Sequence, residues 1–412
     1  MASEHSHVIA GAGLAGAKAA ETLRGEGFSG RIVLIGAEPE LPYERPPLSK
    51  GYLLGKEDRV SARVFTEQWY ADNSVELLQG RRVNAVDRVA HQVELDTGER
   101  IGYTKLLLTT GASPRRLHIR GSHLDGVHDL RTIDDTDKLR DAIRSGGRVV
   151  VIGGGWIGME VAAAARAYGC DVTVVEPSAT PLRPALGPEM GGFFGDLHRR
   201  NDVDLRVGHR VVGLRGNGSR VSAVLSDHGT EIPAEVVLVA IGALPNTELA
   251  DRAGLMVDNG VVVDASFRTS DPDIYAAGDV ANSFNSFYRR HIRVEHWASA
   301  LHGGPAAARA MLGQSTDNDA LPYFFTDQYD VGMEFSGWFA PGGYDTVVTR
   351  GDIDARAFHA FWLAGERVVA GMHVNQWDEG IAPVQNLIRA GQPVDVGRLT
   401  DPSVPLATLV GD

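Results

Sequence analysis

The chain has 412 residues, of which 43% are hydrophobic and 23% charged, a composition typical of folded globular proteins. This length exceeds that of one ordinary hydrophobic core, so we expect two or three domains. The formal net charge of −13 argues against nucleic acid or an anionic membrane as the main partner. Cys170 is the single cysteine, which excludes an intramolecular disulfide, a CxxC redox pair and a four-cysteine iron–sulfur site.

We expect no secretory signal at the beginning of the chain, because His5 and His7 lead into the first apolar run without a basic segment. No apolar run reaches the roughly 18 residues that span a bilayer, since Glu160 interrupts the longest candidate. We therefore expect a cytoplasmic enzyme that binds neither a membrane nor nucleic acid.

The first part of the chain predicts a βαβ unit followed by short strands. A strand over 7–11, a helix over 14–25 and a strand over 31–36 form this unit. Alternating apolar and polar residues then predict short strands, which fall within 75–80, 81–87, 91–99 and 105–111. A turn at 111–114 ends the section.

The same plan recurs about 140 residues later, as a coarse internal repeat. It predicts a strand over 148–153, an alanine-rich helix over 156–168 and a strand over 171–175. Further short strands are predicted within 203–208, 220–227, 230–242, 260–264 and 274–280, before a helix near 298–312.

The last hundred residues predict a separate α+β domain after a polar linker at 313–320. The β-type runs of this domain cover 331–339, 346–351, 355–363 and 367–374, and a final helix is expected around 379–390.

Two glycine motifs of the GxGxxG type each stand between a predicted strand and a predicted helix. In such a turn, a side chain at either of the first two glycines would block a pyrophosphate, and the third glycine lets helix and strand pack closely. A glycine-rich turn in a plain Rossmann-like domain is the alternative. The first cradle consists of Gly11, Gly13 and Gly16, and the second cradle of Gly153, Gly155 and Gly158.

Each cradle is followed by an acidic residue at the end of the next predicted strand, Glu38 after the first and Glu176 after the second. Such a carboxylate accepts hydrogen bonds from an adenosine ribose, so both cradles are predicted to bind a dinucleotide. Glu176 would repel a 2′-phosphate and favours NAD(H) over NADP(H), although Arg183 offers a positive charge nearby. If the second cradle binds NADH, the first cradle is expected to bind the cofactor that accepts the hydride from NADH. FAD is the obvious choice, and the Gly-Asp sequence at Asp279 could place a carboxylate near its ribityl chain or phosphate.

An ordered set of motifs resembles the pyridine-nucleotide-dependent flavoprotein reductases: HVIAGAGLAG, RPPLSK, TTGASP, VVVIGGGWIGME, IGALPN and IYAAGDV. PYERPPLSKGYL, LRTIDD and FFTDQYD narrow the resemblance to the NADH-dependent ferredoxin reductases of bacterial cytochrome P450 and ring-hydroxylating oxygenase systems, the putidaredoxin reductase group. The resemblance implies an α/β fold with two Rossmann-like dinucleotide-binding domains, as in glutathione reductase, and a small α+β C-terminal domain. The implied domains are an FAD domain (1–112 and 245–317), an NAD domain (113–244) and the C-terminal domain (318–412).

Carried over by position, the resemblance also implies the cofactor contacts. For a tightly bound, non-covalent FAD these are Ala15, Lys50, Val83, Arg131, Asp279 and Trp297. For NADH as co-substrate they are Gly155, Ile157, Glu176, Arg183 and Gly242. Some relatives place the ribose acid directly after the glycine that ends the strand, whereas this chain has Ala37 there and the acid at Glu38.

The two cradle helices differ at one equivalent position, where Lys18 of the first corresponds to Glu160 of the second. The resemblance implies that Glu160 faces the nicotinamide and flavin and pairs with Lys50. A lysine near the flavin can stabilise the negative charge that develops as hydride arrives. The alternative is that Glu160 is an ordinary exposed helix residue, as Lys18 is expected to be.

The number of cysteines helps to decide which kind of flavoprotein reductase this is. Disulfide reductases of this fold need a redox-active pair of cysteines near the flavin, and NADH peroxidases need one cysteine there. Cys170 lies elsewhere and is expected to be a buried packing residue. A [2Fe–2S] ferredoxin that supplies a cytochrome P450 or other oxygenase is therefore the predicted acceptor. An NADH oxidase or quinone reductase, and an NADH-sensing flavoprotein like apoptosis-inducing factor, are the alternatives.

The remaining polar residues support narrower predictions. The 14 histidines show no HxxxH-type spacing, so no metal site is predicted. His296, beside Trp297, is either a flavin contact or a core residue. Arg289, Arg290 and Arg293 offer a local positive patch for an acidic ferredoxin, and a solvated loop is the alternative.

Overall fold

The computed structural model describes residues 5–409, which form helices and strands, with several runs of consecutive strands. The strands up to the second cradle are β1 (Ser6–Ala10), β2 (Arg31–Gly36), β3 (Val75–Gln79), β4 (Val83–Asp87), β5 (Gln92–Leu95), β6 (Arg100–Gly102), β7 (Lys105–Leu108), β8 (Ala112–Pro114), β9 (Val127–His128) and β10 (Arg148–Ile152). The later strands are β11 (Asp171–Glu176), β12 (Val203–Val207), β13 (Val211–Asn217), β14 (Arg220–Ser226), β15 (Glu231–Pro233), β16 (Val236–Val239), β17 (Ala243–Pro245), β18 (Val261–Val263), β19 (Ile274–Ala276), β20 (Ala281–Asn285), β21 (Arg290–Ile292), β22 (Tyr323–Gln328), β23 (Val331–Gly337), β24 (Thr346–Asp352), β25 (Ala357–Ala364) and β26 (Arg367–Val374). The α-helices are α1 (Leu14–Gly25), α2 (Glu67–Asp72), α3 (Ile133–Ile143), α4 (Trp156–Ala167), α5 (Arg183–Arg200), α6 (Glu248–Arg252), α7 (Trp297–Met311), α8 (Ala382–Ala390) and α9 (Val396–Thr400).

Contacts along the chain divide the structure into two units. Unit 1 combines the residues up to Arg45 with Arg59–Ser113 and Ala243–Pro322. Unit 2 combines Pro46–Asp58, Pro114–Gly242 and the residues from Tyr323 onward. The three domains predicted from the sequence stay a prediction, and residues 1–4 and 410–412, which they include, lie outside the described residues.

Unit 1 is built on a parallel sheet in the order β3-β2-β1-β7-β19. Its inner strands β1 and β2 are near-continuous apolar runs, as expected for parallel strands covered on both faces. The helices α1 and α7 pack closely because the facing residues are small. A Cβ at Gly304 of α7 would overlap the backbone carbonyl oxygen of Ala15 in α1.

Unit 2 repeats this plan, with a parallel sheet in the order β12-β11-β10-β16-β9. In each sheet the strand before the glycine motif, β1 or β10, lies in the centre. On one side it pairs with the second strand of the βαβ unit, β2 or β11, and on the other side with a strand from farther along the chain, β7 or β16. The carboxyl end of this central strand is the topological switch point, where open α/β sheets bind ligands.

The C-terminal segment of unit 2 forms an antiparallel sheet in the order β22-β23-β26-β25-β24. Its core is aromatic and includes the fully buried Phe358, Phe361 and Trp362. The indole Nε1 of Trp362 donates a hydrogen bond to the backbone oxygen of Leu186, also in unit 2, at 3.2 Å. The helix predicted around 379–390 is α8, which begins at Ala382 and is followed by the short α9, so it is not the final helix.

Three helices of unit 2, α3, α5 and α9, have no counterpart among the predicted elements. Helix α3 begins with a capping box, in which the Thr132 hydroxyl and the Asp135 carboxylate satisfy backbone N–H groups reciprocally. Helix α5 was obscured by glycine and proline, and it has a kink at Gly187, whose φ is 75°.

Candidate active site

The first cradle lies in unit 1, where two of its glycines are required by close backbone contacts. Gly11 has a φ of 123°, and a Cβ on it would overlap the backbone of Thr109. A Cβ on Gly16 would overlap the carbonyl oxygen of Gly11. By contrast, a Cβ on Gly13 would meet no atom within 4 Å, so the space in front of this residue is open.

The open space lies at the N-terminus of α1, for which Gly13 is the N-cap. No side chain caps this helix end, and its first turn holds no acidic residue. The backbone N–H groups and the positive end of the helix dipole are therefore available to a phosphate. This geometry fits the pyrophosphate of a dinucleotide.

Three other residues that the sequence predicted as FAD contacts, Asp279, Trp297 and Val83, also belong to unit 1. Gly278, next to Asp279, comes so close to α1 that a Cβ on it would be 3.2 Å from the Cβ of Ala15. Trp297 donates a hydrogen bond from Nε1 to Glu44 at 3.1 Å. Val83 is half-buried and packs against the core of the unit.

The carboxylate of Glu38 already accepts hydrogen bonds from side chains that the sequence reasoning missed. Arg45 donates to its Oε1 at 2.9 Å, and the Tyr43 hydroxyl donates to its Oε2. Both donors come from the PYERPPLSK motif, which served only as a family signature. Glu38 thus anchors the segment that follows β2 as well as standing at the predicted ribose position.

The second cradle, in unit 2, repeats the geometry of the first. A Cβ on Gly153, whose φ is 106°, would overlap the carbonyl oxygen of Ala240. A Cβ on Gly158 would overlap that of Gly153, whereas one on Gly155 would meet no atom within 4 Å. Gly155 is the N-cap of α4, which also begins without a side-chain cap or an acidic first turn.

The carboxylate of Glu176 lies beside the glycine turn of the second cradle. Its two carboxylate oxygens accept hydrogen bonds from the backbone N–H groups of Gly154 and Ser178, each at 2.7 Å. These bonds hold the carboxylate beside the open turn, where it would meet an adenosine ribose. The side chain of Ile157 is 43% exposed on the first turn of α4, which suits a residue that contacts a ligand.

The two remaining predicted NAD contacts are also in unit 2. Arg183 is exposed at the start of α5. Gly242 has a φ of 94°, and its carbonyl oxygen accepts a hydrogen bond from the backbone of Arg115 at 2.9 Å. Lys50 and Arg131, predicted as FAD contacts, belong to unit 2 as well.

Substitution of Gly155 tests the second cradle. We expect Gly155→Ala to preserve the fold, because the added methyl group meets no protein atom, and to raise the Kd for NADH about tenfold or more, since it occupies the predicted pyrophosphate space. Gly192→Ala is the matched control, because it adds a methyl group to a helix of the same unit with no atom within 4 Å. Titration of NADH by fluorescence measures both, and equal affinities would contradict this assignment.

The Glu160 carboxylate, in the second turn of α4, is buried with a cationic partner. Lys50 donates from Nζ to its Oε1 at 2.7 Å, and the exposed side-chain fractions are 16% for Lys50 and 5% for Glu160. The Ser49 hydroxyl donates to Oε2, and the Thr326 hydroxyl to Oε1 at 2.6 Å. The alternative that Glu160 is an ordinary exposed helix residue is therefore wrong.

A chain of hydrogen bonds extends from this carboxylate through the interior of unit 2. Gln328 donates from Nε2 to the Thr326 hydroxyl oxygen at 3.1 Å, and its Oε1 lies 2.8 Å from His198 Nε2. Burial lowers the pKa of His198 to about 4, so its imidazole is neutral at neutral pH. A neutral ring that donates from Nε2 can accept from the Tyr329 hydroxyl at Nδ1, 3.2 Å away. Every donor in the chain then points towards Glu160.

The corresponding position of the first cradle has no buried partner. Lys18 forms an ion pair with Glu21 on its own helix, and its ammonium lies 5.3 Å from the ring centroid of Phe65. Lys18 is therefore a partly exposed helix residue. The equivalent residues of the two cradle helices, Lys18 and Glu160, differ in burial as well as in charge.

Residues of the FFTDQYD motif complete the site, although sequence reasoning assigned them no role. In β22 the buried face carries Phe324, Thr326 and Gln328, spaced two residues apart. Polar residues at buried positions of such an alternating strand were the signal that could have identified them. Asp327, on the other face, has its pKa raised by burial and by Glu160, with Lys50 acting in the opposite direction.

Removal of the Thr326 hydroxyl tests how strongly this series of hydrogen bonds stabilises the Glu160 carboxylate. We expect Thr326→Val to destabilise the protein by about 1–3 kcal/mol, because a buried carboxylate loses a donor and Gln328 loses its acceptor. Thr346→Val, an exposed position in the same sheet, should change stability by less than about 0.5 kcal/mol. Urea unfolding followed by tryptophan fluorescence compares the two, and equal midpoints would refute the argument.

The surroundings of the single cysteine and the character of the helices bear on two further predictions. Cys170 is buried, burial raises the pKa of its thiol, and its Sγ lies 3.2 Å from the carbonyl oxygen of Ile143. This is a packing environment rather than a reactive one. Among the described residues, no helix combines the length and apolar character needed to cross a membrane.

The arginines predicted to dock a ferredoxin differ in their surroundings within unit 1. Arg289 and Arg290 are exposed at the start of β21. Arg293 is 10% exposed, forms an ion pair with Glu295 and donates to the backbone oxygen of Asp279 at 3.3 Å. Arg293 therefore stabilises the Gly-Asp segment, and the exposed part of the patch is Arg289 and Arg290.

Each unit thus carries a glycine turn that fits a dinucleotide at the switch point of its parallel sheet, and the similarity to known proteins agrees with this geometry. Residues 5–304 match the pyridine nucleotide-disulphide oxidoreductase family, and residues 323–410 match the reductase C-terminal family. The chain belongs to the pyridine nucleotide-disulphide oxidoreductase family. This confirms the predicted fold class, and membership implies FAD and NAD(H) as the cofactors.

Individual relatives narrow the likeness to the putidaredoxin reductase group, as predicted. The chain is 41% identical to the ferredoxin–NAD(+) reductase component of the anthranilate 1,2-dioxygenase system of Burkholderia cepacia, with 98% of each chain covered. It is 37% identical to putidaredoxin reductase of Pseudomonas putida, covering 100% of this chain and 98% of the relative. The structure matches the reductase in the covalent putidaredoxin reductase–putidaredoxin complex with a TM-score of 0.95 and 38% identity, covering 99% of this chain and 98% of that one.

Proposed function

We propose that this protein is an NADH-dependent ferredoxin reductase that acts in the cytoplasm and supplies a cytochrome P450 or other oxygenase through a [2Fe–2S] ferredoxin. The observation that carries the proposal is the buried ion pair that Lys50 forms with Glu160 of α4, the helix of the second cradle. The names of the relatives support it, because they include a dioxygenase-system reductase and putidaredoxin reductase.

The proposal assigns a tightly bound, non-covalent FAD to the first cradle and NADH to the second. When bound, the flavin supplies the chemistry that accepts a hydride from NADH and passes two electrons on one at a time. Unit 1 supports the FAD assignment, since Gly278 and Asp279 adjoin the open turn of α1. Glu176 supports NADH, because a buried, doubly hydrogen-bonded carboxylate opposes a 2′-phosphate.

The residues of the chain would hold and polarise the reacting groups. Lys50 provides a positive charge, and Glu160 fixes the position of that ammonium through a 2.7 Å hydrogen bond. Ser49 and Thr326 orient the carboxylate in turn, so the lysine is pre-organised before any charge develops. Hydride transfer needs close stacking and exclusion of water rather than an acid or base at the reacting carbon.

The single cysteine supports a protein acceptor over disulfide chemistry. Cys170 is buried with a raised thiol pKa, and a disulfide reductase needs two accessible thiols. The chain also lacks the four cysteines that would hold a cluster of its own, so the iron–sulfur cluster belongs to a separate ferredoxin.

An anaerobic stopped-flow experiment tests the function directly. The flavin-loaded protein is mixed with NADH and a candidate [2Fe–2S] ferredoxin, and the visible absorption of the cluster is followed as it bleaches. Rapid, catalytic bleaching is expected. Faster turnover with oxygen or quinone would favour an oxidase or quinone reductase, and slow flavin reoxidation with NADH-induced dimerisation would favour an NADH-sensing role.

Removal of the Lys50 charge should slow the first half-reaction. We expect Lys50→Met to lower the rate of flavin reduction by NADH about tenfold or more, because a positive charge is lost where negative charge develops. Lys50→Arg should retain most of the rate. Lys18→Met, at a partly exposed lysine of the first cradle helix, is the control, and a Lys50→Met rate equal to that of the control would contradict the assigned role.

Charge reversal at Arg290 should separate the two half-reactions. We expect Arg290→Glu to slow ferredoxin reduction about tenfold at low salt while NADH–ferricyanide activity stays unchanged, since the cationic contact concerns only the protein acceptor. Arg100→Glu makes the same charge change at another exposed arginine of unit 1. Equal loss in both assays, or an equal effect of Arg100→Glu, would remove the docking assignment.

A further inference from the structure

Two histidines and an aspartate converge on the surface of unit 2, outside the site described above. His209 precedes β13, and Asp227 and His228 form the turn between β14 and β15. One potential ligand atom from each of the three lies within 4.8 Å of the others. The ring centroids of His209 and His228 are 4.1 Å apart, and His228 Nε2 lies 3.9 Å from Asp227 Oδ1.

The backbone holds these side chains together. Arg210 donates its N–H to Asp227 Oδ1 at 3.0 Å, and Asp227 donates its N–H to the carbonyl oxygen of Arg210 at 2.9 Å. The antiparallel pairing of β13 and β14 begins immediately beyond, with Val211 opposite Ser226. The proximity of the cluster is therefore set by the register of a sheet rather than by mobile side chains alone.

The environment of His209 gives a second, independent indication that this cluster binds a ligand. Its ring nitrogen Nδ1 is buried and has no hydrogen-bond partner among the described residues. A buried polar atom without a partner is costly, and most such atoms in folded proteins are satisfied by protein, water or an ion. The carboxylate of Asp227 also brings a negative charge to the cluster, which favours a cation.

We propose that His209, Asp227 and His228 bind one Zn²⁺ or a similar divalent transition metal, with water completing the coordination. Two imidazoles and a carboxylate are typical ligands of zinc, whereas Mg²⁺ and Ca²⁺ prefer oxygen ligands throughout. Tetrahedral zinc needs ligand atoms about 3.4 Å apart, given metal–ligand bonds of about 2.1 Å. The exposed side chains of Asp227 and His228 can close the remaining distance by rotation.

The position of the cluster links this metal to the second cradle. The backbone N–H of His209 donates to the carbonyl oxygen of Glu176 at 3.2 Å, and that of Gly208 to Ser178 at 3.0 Å. A bound ion would therefore brace the loop that supports the predicted ribose carboxylate. The metal site itself does not depend on the proposed function.

Calorimetric titration of the untagged, metal-stripped holoprotein with Zn²⁺ tests the proposal. We expect saturable binding of one equivalent at this cluster and none with Mg²⁺. His228→Ala and Asp227→Asn should each weaken this binding at least tenfold, whereas His123→Ala, at an exposed histidine of the same unit, should leave it unchanged. Zn²⁺ should also raise the melting temperature of the wild type and of His123→Ala, but not of His228→Ala.

Two outcomes would overturn the metal assignment. One is the absence of saturable zinc binding by the wild type. The other is binding by His228→Ala and Asp227→Asn with wild-type affinity, which would place the ion at other histidines of the chain.

Discussion

The structure of the candidate active site depends on the burial of one negative charge, the carboxylate of Glu160. A buried carboxylate is tolerated only when a cation and hydrogen-bond donors replace the water that it loses. Here two segments far apart in the sequence provide them: the PPLSK segment, with Ser49 and Lys50, and β22, with Thr326. Folding of unit 2 must therefore bring both segments to α4.

The supporting hydrogen bonds also have a direction. Because the His198 ring is held neutral by burial, it can accept from Tyr329 on one side and donate to Gln328 on the other. Each further donor then points one step closer to Glu160. Satisfied buried networks of this kind are rigid, since displacing one member leaves its neighbours without partners. That rigidity suits a lysine whose position has to be set before the reaction.

The two cradles are formed by the same backbone geometry. In both, the first and third glycines are needed because a Cβ would overlap a backbone carbonyl oxygen, and the middle glycine leaves space in front of a helix N-terminus. These contacts depend on backbone alone, so they recur almost unchanged. The side chains that follow them differ: Lys18 stays partly exposed beside Glu21, whereas Glu160 is enclosed. The repeat supplies an uncapped helix N-terminus with open space before it twice, and only the second copy carries the buried ion pair.

The family name refers to disulphide chemistry, which this chain cannot perform with its single buried cysteine. The PPLSK segment contains no cysteine and contributes Ser49 and Lys50 to the site around Glu160. A lysine–glutamate pair is suited to hold charge near a redox centre, but it exchanges no electrons. Electrons must therefore leave by another carrier, and this is consistent with an external one-electron acceptor.

The sequence by itself determined the two βαβ units, the glycines that form the cradles and the acids that follow the second strands. It could do so because these features depend on local patterns: apolar strand runs, a φ that only glycine adopts readily, and fixed spacing along the chain. The pairing of Lys50 with Glu160 followed from family resemblance, not from any local pattern. Helix α5 was missed because its glycines and prolines mask the helical signal.

Only the tertiary structure decided which side chains surround Glu160 and which lie elsewhere. Thr326, Gln328 and His198 are contributed by different elements, so no sequence spacing announces their convergence. The same holds for His209 and His228, which antiparallel pairing brings together although no metal-type spacing links them. Local patterns encode strands, helices and turns, but the meeting of distant side chains depends on how sheets and helices pack, which is a property of the whole fold.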